Sequence, residues 1–310
     1  MRVSKAGIDY YSRMNDSTAL SALLADLAHA RFNSRPLTWP ATMPVNLNQA
    51  YEAALAVREA RTVEGEVPVG YKVGFTNRNI WSRYEVYAPI WGTVWQGTLT
   101  QVAPGALNAG VLSLDGLCEP RIEPEIVFCL RDAPPPDCTA GQLVASLDWV
   151  AHGFEIVHTH FAGWKFTAAQ AVADAGLHGL LLVGQRIELP AGTAAVDLIQ
   201  ELADLRVRLY GDGLLKDEGK GANVLDGPVQ ALLHFVRELR ATPGAPALKA
   251  GDLVTTGTLT DAHPVQPGQT WHTEIESTGP LARELSGLTV RFKQLSTVGM
   301  NRHKTMPSHP

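Results

Sequence analysis

Arg121-Ile-Glu-Pro-Glu-Ile-Val-Phe-Cys-Leu130 is the stretch whose reading governs the rest of the chain. Read as a β-strand it alternates, so Glu123, Glu125, Val127 and Cys129 share one face, while Ile122, Ile126, Phe128 and Leu130 share the other. The second face is wholly apolar and is expected to lie on a core. The two glutamates then point together to the opposite side, with Cα atoms roughly 6–7 Å apart. Their repulsion is costly unless water or a cation screens it. Hard oxygen ligands converging from a rigid strand suit Mg²⁺ or Mn²⁺ better than Zn²⁺. The competing reading is a solvated acidic edge strand, which Pro124 also fits because proline cannot donate to a ladder. This stretch alone does not separate the two.

Working outward, the chain has 310 residues, 45% of them hydrophobic and 18% charged, which is ordinary for a globular protein with a substantial core. A net charge of −5 gives no basic footprint for nucleic acid. Cys118, Cys129 and Cys138 show no paired metal spacing and no disulfide framework. No apolar run approaches the length of a membrane span, and the amino terminus lacks the apolar core of a signal peptide. A cytoplasmic location without nucleic-acid or membrane partners is therefore expected.

Four segments are expected: an arm over 1–16, a helical portion over 17–68, a catalytic β-rich domain over 69–293 and a tail over 294–310. Asp16 or Ser17 is suited to cap a helix carrying Leu20, Leu23, Leu24, Leu27 and Ala28. Prolines between Arg35 and Pro44 stop it, and Asn46 opens a second helix to about Arg61, with Ala50, Ala54 and Val57 inward. From Val69 the spacing changes to short strands punctuated by glycine, with runs near 92–100, 121–130 and 146–158. Short helices follow Asn77 and Ala168, and Gly179-Leu-Leu-Leu-Val-Gly184 reads as a buried strand. Gly211-Asp-Gly213 marks a hairpin, Pro228 starts a helix, and strands near 252–258, 270–276 and 288–293 close the chain. Strands and helices do not alternate regularly, which argues for a mixed or antiparallel sheet assembly with helices at one end.

Three segments place polar groups inside apolar strands. The glutamate pair is the first. Glu155, between Phe154 and Ile156, is the second, and a carboxylate there is expensive to bury unless it is paired or metal-bound. Glu123, Glu125 and Glu155 together offer three oxygen ligands, although Glu155 could instead pair with an arginine such as Arg121. Lys72, flanked by Gly70 and Gly74, is the third; a partly desolvated lysine can do acid–base work, while a solvated strand lysine does none. His158 and His160, close after Glu155, read either as a soft metal pair or as polar surface residues, and they are the backup proton carriers.

In this order, Gly70-Tyr-Lys-Val-Gly-Phe-Thr76, Pro120-Arg-Ile-Glu-Pro-Glu-Ile-Val-Phe128, Phe154-Glu-Ile-Val157, Val172-Ala-Asp174 and Ala250-Gly-Asp-Leu-Val-Thr-Thr-Gly257 followed by Thr258 resemble the fumarylacetoacetate hydrolase superfamily. The spacing is similar to its branch of 2-oxopent-4-enoate hydratases and 4-oxalocrotonate decarboxylases, over about 47–293. The resemblance implies an α+β fold, a mixed β-sandwich roll preceded by helices. It implies Mg²⁺ or Mn²⁺ on Glu123, Glu125 and Glu155, Lys72 as the cationic active-site residue, and Thr76 and Thr258 at the substrate. The implied activity is a metal-dependent lyase, a hydratase of 2-hydroxy-2,4-dienoate or 2-oxo-4-enoate acids. A decarboxylase, a C–C hydrolase or a non-catalytic partner subunit of the same pathway are the alternatives. A homo-oligomer is also implied. The chain departs from the family where Asp-Ser/Ala-Arg is replaced by His158-Thr-His160, and where the Asp-Asn pair reads Asp174-Ala175. These departures suggest altered substrate or proton handling, with His158 or His160 as candidate catalytic groups.

Overall fold

The computed structural model describes residues 26–31, 33–37, 46–280 and 282–294. The expected arm, the cap at Asp16 or Ser17 with Leu20, Leu23 and Leu24, and the tail from 295 onward lie outside these residues. Residues 26–31 are helical, with Leu27 and Ala28 buried.

Helix α1 (Leu47–Val63) begins where Asn46 accepts from Gln49 N and Gln49 reciprocates on the cap backbone. It buries Ala50, Ala53 and Ala60, while Ala54 and Val57 are only half-buried. The β-rich part then supplies β1 (Pro68–Gly74), helix α2 (Trp81–Tyr84), β2 (Ile90–Trp95), β3 (Leu99–Gln101), β4 (Ala109–Leu112) and β5 (Arg121–Leu130). Helix α3 (Ala140–Ala145), β6 (Leu147–Val157), helix α4 (Ala168–Ala173) and β7 (His178–Glu188) follow. Helix α5 (Ala195–Asp204), β8 (Arg206–Gly211), β9 (Leu214–Lys220) and helix α6 (Pro228–Ala241) come next. The last elements are β10 (Leu253–Thr258), β11 (His263–Pro264), β12 (Thr270–Glu276) and β13 (Thr289–Phe292).

Two sheets result, one ordered β2-β1-β10-β5-β6-β7-β3 with β11 added to β5, the other β4-β13-β12-β8-β9. They are mixed: β1–β10, β3–β7 and β4–β13 run parallel and the remaining pairs antiparallel. Together with the attached helices they make an α+β architecture. One apolar cluster joins Ile126, Phe128 and Leu130 of β5 to Leu198 and Leu202 of α5 and Leu232 and Phe235 of α6. A second joins Ile122, Phe154 and Leu182 of the larger sheet to Leu209, Trp271, Val290 and Phe292 of the smaller one.

Strand β5 lies inside the larger sheet, between β10 and β6, so the edge-strand reading of its acidic residues fails. Pro124 is tolerated because the β5–β10 ladder is interrupted between Thr255 and Thr258, next to it. The run expected near 92–100 divides into β2 and β3 at a 3₁₀ turn over Gln96–Thr98. Helices α3 and α5 were not anticipated. Among the described residues, no helix is long and apolar enough to cross a membrane.

Candidate active site

Antiparallel pairing of β5 with β6 sets Glu123 directly opposite Glu155, and Glu125 opposite Gly153. The register turns two sequence-distant motifs into one cluster: oxygen atoms of Glu123, Glu125 and Glu155 lie within 4.8 Å of one another. Glu125 and Glu155 are fully buried. The Gly257 backbone N donates to Glu125 Oε2 at 2.7 Å, while Glu125 Oε1 has no hydrogen-bond partner. Gly257 has φ +93°, and a Cβ there would lie 1.9 Å from Thr76 Oγ1. Only glycine fits that backbone conformation against Thr76. Gly70, with φ +157°, likewise allows β10 to close on β1, since an added Cβ would meet Leu253 O at 2.0 Å.

Lys72 projects from β1 into this cluster, with Nζ 3.1 Å from Glu155 Oε2. At 2% exposure it is not a solvated strand lysine. The other Glu155 oxygen, Oε1, takes His178 Nδ1 at 2.8 Å. Arg121 stacks its guanidinium over Trp164, 4.1 Å from the ring centroid.

Burial pushes the Glu123 carboxyl up to about 7, aided by Glu155 and opposed by Lys72. Burial and the neighbouring carboxylates also hold Glu125 well above the usual range. Glu155 goes the other way, because Lys72 and His178 outweigh its burial. For Lys72, burial favours the neutral amine, but Glu155, Glu123 and Glu125 overcome it and the net shift is upward. The sequence left this direction open; the geometry makes Lys72 an ammonium at neutral pH.

Lys72 and Glu123 line a cavity of about 390 Å³ together with Thr76, Arg121 and Thr258. His158 and His160 do not line it. His158 Nδ1 accepts from Cys118 N at 3.3 Å, and burial pulls its pKa down to about 3. His160 holds Asp174 through Nδ1 at 2.8 Å and through its backbone N at 2.9 Å, with Arg31 on the same carboxylate at 3.0 Å. His158 faces a smaller cavity of about 170 Å³ that it shares with Arg31, Thr98 and His178.

No family model matches the chain. Its sequence is 30% identical over 221 residues to a 4-oxalocrotonate decarboxylase of Pseudomonas sp. (strain CF600), covering 71% of this chain and 78% of that protein. A 2-hydroxyhexa-2,4-dienoate hydratase of Comamonas testosteroni is 29% identical over 236 residues, covering 76% and 84% respectively. The chain belongs to the hydratase and decarboxylase branch of the fumarylacetoacetate hydrolase superfamily.

The fold agrees with that branch. The 4-oxalocrotonate decarboxylase from Pseudomonas putida G7, solved with magnesium and adipate, superposes with a TM-score of 0.75 at 21% identity, covering 94% of this chain and all of that one. Against the branch's motifs, the residue that sequence reasoning passed over is His178. It opens an otherwise apolar run, His178-Gly-Leu-Leu-Leu-Val-Gly184, four residues after Asp174. A histidine starting a buried strand was the available signal, because burial obliges its ring nitrogens to find partners. Thr98, whose Oγ1 lies 2.9 Å from His178 Nε2, carried none.

Proposed function

We propose that the chain is a divalent-metal-dependent lyase, a hydratase acting on a 2-hydroxy-2,4-dienoate or 2-oxo-4-enoate acid. Glu123, Glu125 and Glu155 would hold Mg²⁺ or Mn²⁺. The observation that carries this reading is the cluster itself: three converging carboxylates, two of them fully buried, with Glu125 Oε1 left without a partner. A buried carboxylate oxygen lacking any donor is costly, and a cation is the partner that fits it. Three carboxylates against one ammonium also leave an excess of negative charge that a divalent ion would neutralise. An all-oxygen set suits a hard cation.

When bound, such a cation supplies positive charge to the carboxylate and keto oxygens of a 2-oxo acid. The chain's own residues do the rest. Lys72, held as an ammonium by Glu155, donates hydrogen bonds to the acid and can deliver a proton to the substrate carbon. Thr76 and Thr258, on the same cavity wall, offer hydroxyls to the acid's oxygens. Glu125 and Glu155 are themselves fully buried, which keeps bulk water from them. With His158 and His160 outside this cavity, we assign the proton to Lys72. The division into a helical portion over 17–68 and a catalytic unit over 69–293, folded as a sandwich roll, is part of the same reading.

Decarboxylation is the second reading, favoured by the identity to the Pseudomonas decarboxylase. One assay separates them: dienoic and 2-oxo acids are presented with and without Mg²⁺, following ultraviolet absorbance and CO₂ release. Loss of dienol absorbance without CO₂ is expected. Metal-independent turnover, or none with any acid, would sink the proposal.

A further inference from the structure

The cavity beside Lys72 has a second, aromatic part that a short aliphatic acid does not use. Phe75, Tyr84, Trp164 and Phe166 all line it, and all are only half-buried. They form a continuous wall. Phe75 meets Tyr84 edge-on at 4.9 Å between centroids, Tyr84 stacks on Phe166 at 5.7 Å and 18°, and Trp164 leans on Phe166 at 5.9 Å. Arg121, which lines the same cavity, stacks on the Trp164 ring.

Two of these residues hold strained backbone. Phe75 has φ +56° and Trp164 φ +58°, in the left-handed region that bulky side chains rarely adopt. Each is pinned there by an indole N–H: Trp81 Nε1 donates to the Phe75 carbonyl at 2.6 Å, and Trp164 Nε1 to the Glu119 carbonyl at 3.1 Å. Strain of this kind persists where the surroundings impose it, and it concentrates at ligand clamps. Phe75, Trp164 and Phe166 pack their inner sides on the buried cluster around Ile90, Val157, Phe161 and Leu177, and their remaining surface faces the cavity.

The topology places the rings on the outer side of the cluster. β1 runs parallel to β10, and β10 and β6 both run antiparallel to β5, so the C-terminal ends of β1 and β6 share an edge with the start of β5. Lys72 and Glu155 lie inside β1 and β6. Phe75 follows the end of β1, and Trp164 and Phe166 follow the end of β6, with Arg121 at the start of β5 on the same edge. The wall therefore stands on the outer side of Lys72 and the glutamates. A cavity of about 390 Å³ falls within the roughly 300–1,000 Å³ typical of pockets for much larger ligands than a five-carbon acid.

We propose that this cavity takes a 2-oxo or 2-hydroxydienoic acid carrying an aromatic or bulky apolar group at the end remote from its carboxylate. This rests on the reading of Lys72 and the glutamate cluster as the acid's site. The Phe75–Tyr84–Phe166–Trp164 wall receives the apolar end.

The test is calorimetric binding to the Mn²⁺-loaded protein of three stable acids: 2-oxopentanoate, 5-phenyl-2-oxopentanoate and 2-oxohexanedioate. The phenyl acid is expected to bind roughly ten- to a hundredfold more tightly than 2-oxopentanoate, the gain of burying one ring. The distal carboxylate of 2-oxohexanedioate should gain nothing. In Phe166→Ala the ratio of the first two affinities should fall toward one; Phe166→Leu, which keeps more of the packing, should give an intermediate ratio if the alanine variant does not fold. Equal affinities for the first two acids, or tightest binding of the dicarboxylate, overturn the proposal alone. So does a Phe166→Ala protein that changes oligomeric state, because the wall would then be covered by a second copy. Failure of all three acids to bind overturns the acid site, and the proposal with it.

Discussion

His178 Nδ1 sits 2.8 Å from Glu155 Oε1, and the same carboxylate's Oε2 is 3.1 Å from Lys72 Nζ. Glu155 is therefore gripped from both sides, by an imidazole that fixes its orientation and by an ammonium that faces the cavity. Thr98 Oγ1 on His178 Nε2 fixes the ring in turn. Glu125 accepts from the Gly257 backbone N, yet its carboxyl and that of Glu123 are pushed up where that of Glu155 is pushed down. This asymmetry makes Glu155 the one member of the cluster prepared as an anion before any cation arrives.

Removing that support should cost metal affinity. In His178→Asn, Mn²⁺ binding measured by calorimetry is expected to weaken roughly ten- to a hundredfold, as when a metal ligand loses the partner that orients it. The circular dichroism spectrum should be unchanged. Unaltered Mn²⁺ affinity would show that Lys72 and the strand backbone suffice to place Glu155.

Glu125→Gln tests the cluster directly. It removes one charged oxygen donor, so Mg²⁺ affinity should fall by one or more orders of magnitude. The metal-free protein should melt close to the wild type, because burial and the neighbouring carboxylates already push the Glu125 carboxyl toward its neutral form. A variant with full Mg²⁺ affinity would remove Glu125 from the ligand set.

Much of this was readable in the chain. Alternation along 121–130 placed Glu123 and Glu125 together, and the caps at Asn46 and Asn77 and the helix start at Pro228 stand where the structure has them. The glutamate cluster itself depends on the register of β5 against β6, which local alternation cannot give; motif order supplied it. Two things escaped. Helix α5 has a strong apolar face with Leu198 and Leu202, but its Ala194 cap position offers no side-chain signal. His158 and His160 looked like candidates because they follow Glu155 closely. Beyond Val157 the chain leaves the strand, and Asp174 draws His160 away from the cavity.

His152 predicts the acid limb of stability. It is buried between the Glu125 carbonyl and Thr273 Oγ1, both at 2.9 Å, and burial lowers its pKa from 6.5 to about 4. The unfolded chain takes up this proton below about 6.5 and the folded one only near 4, so stability is full above the first value and declines as pH falls toward the second. The loss from this residue amounts to about 3 kcal/mol at most. His158, lowered to about 3, adds in the same direction. Melting temperatures of His152→Gln between pH 7 and pH 4 should therefore decline less steeply than those of the wild type. A parallel decline would mean that His152 already binds its proton in the folded state.

Lys72 separates charge from proton transfer. Its ammonium is held by Glu155, with Glu123 and Glu125 adding to the upward shift, so at neutral pH it begins as an acid rather than a base. Lys72→Met removes a positive charge beside the proposed cation, so Mg²⁺ affinity should persist or rise. The metal-free variant should be less stable, because the buried Glu155 carboxylate keeps only His178 as a partner. Turnover on the substrate found by the acid screen should fall roughly 10²–10⁴-fold, the usual loss on removing a positioned acid–base group. Lys72→Arg then divides the two roles. Arginine keeps the charge but does not release its proton, so a variant that binds the acid normally and turns over poorly assigns the proton to Lys72. If Lys72→Arg turns over like the wild type, Lys72 only binds the acid and another group delivers the proton. If Lys72→Met does so as well, the lysine leaves the mechanism altogether.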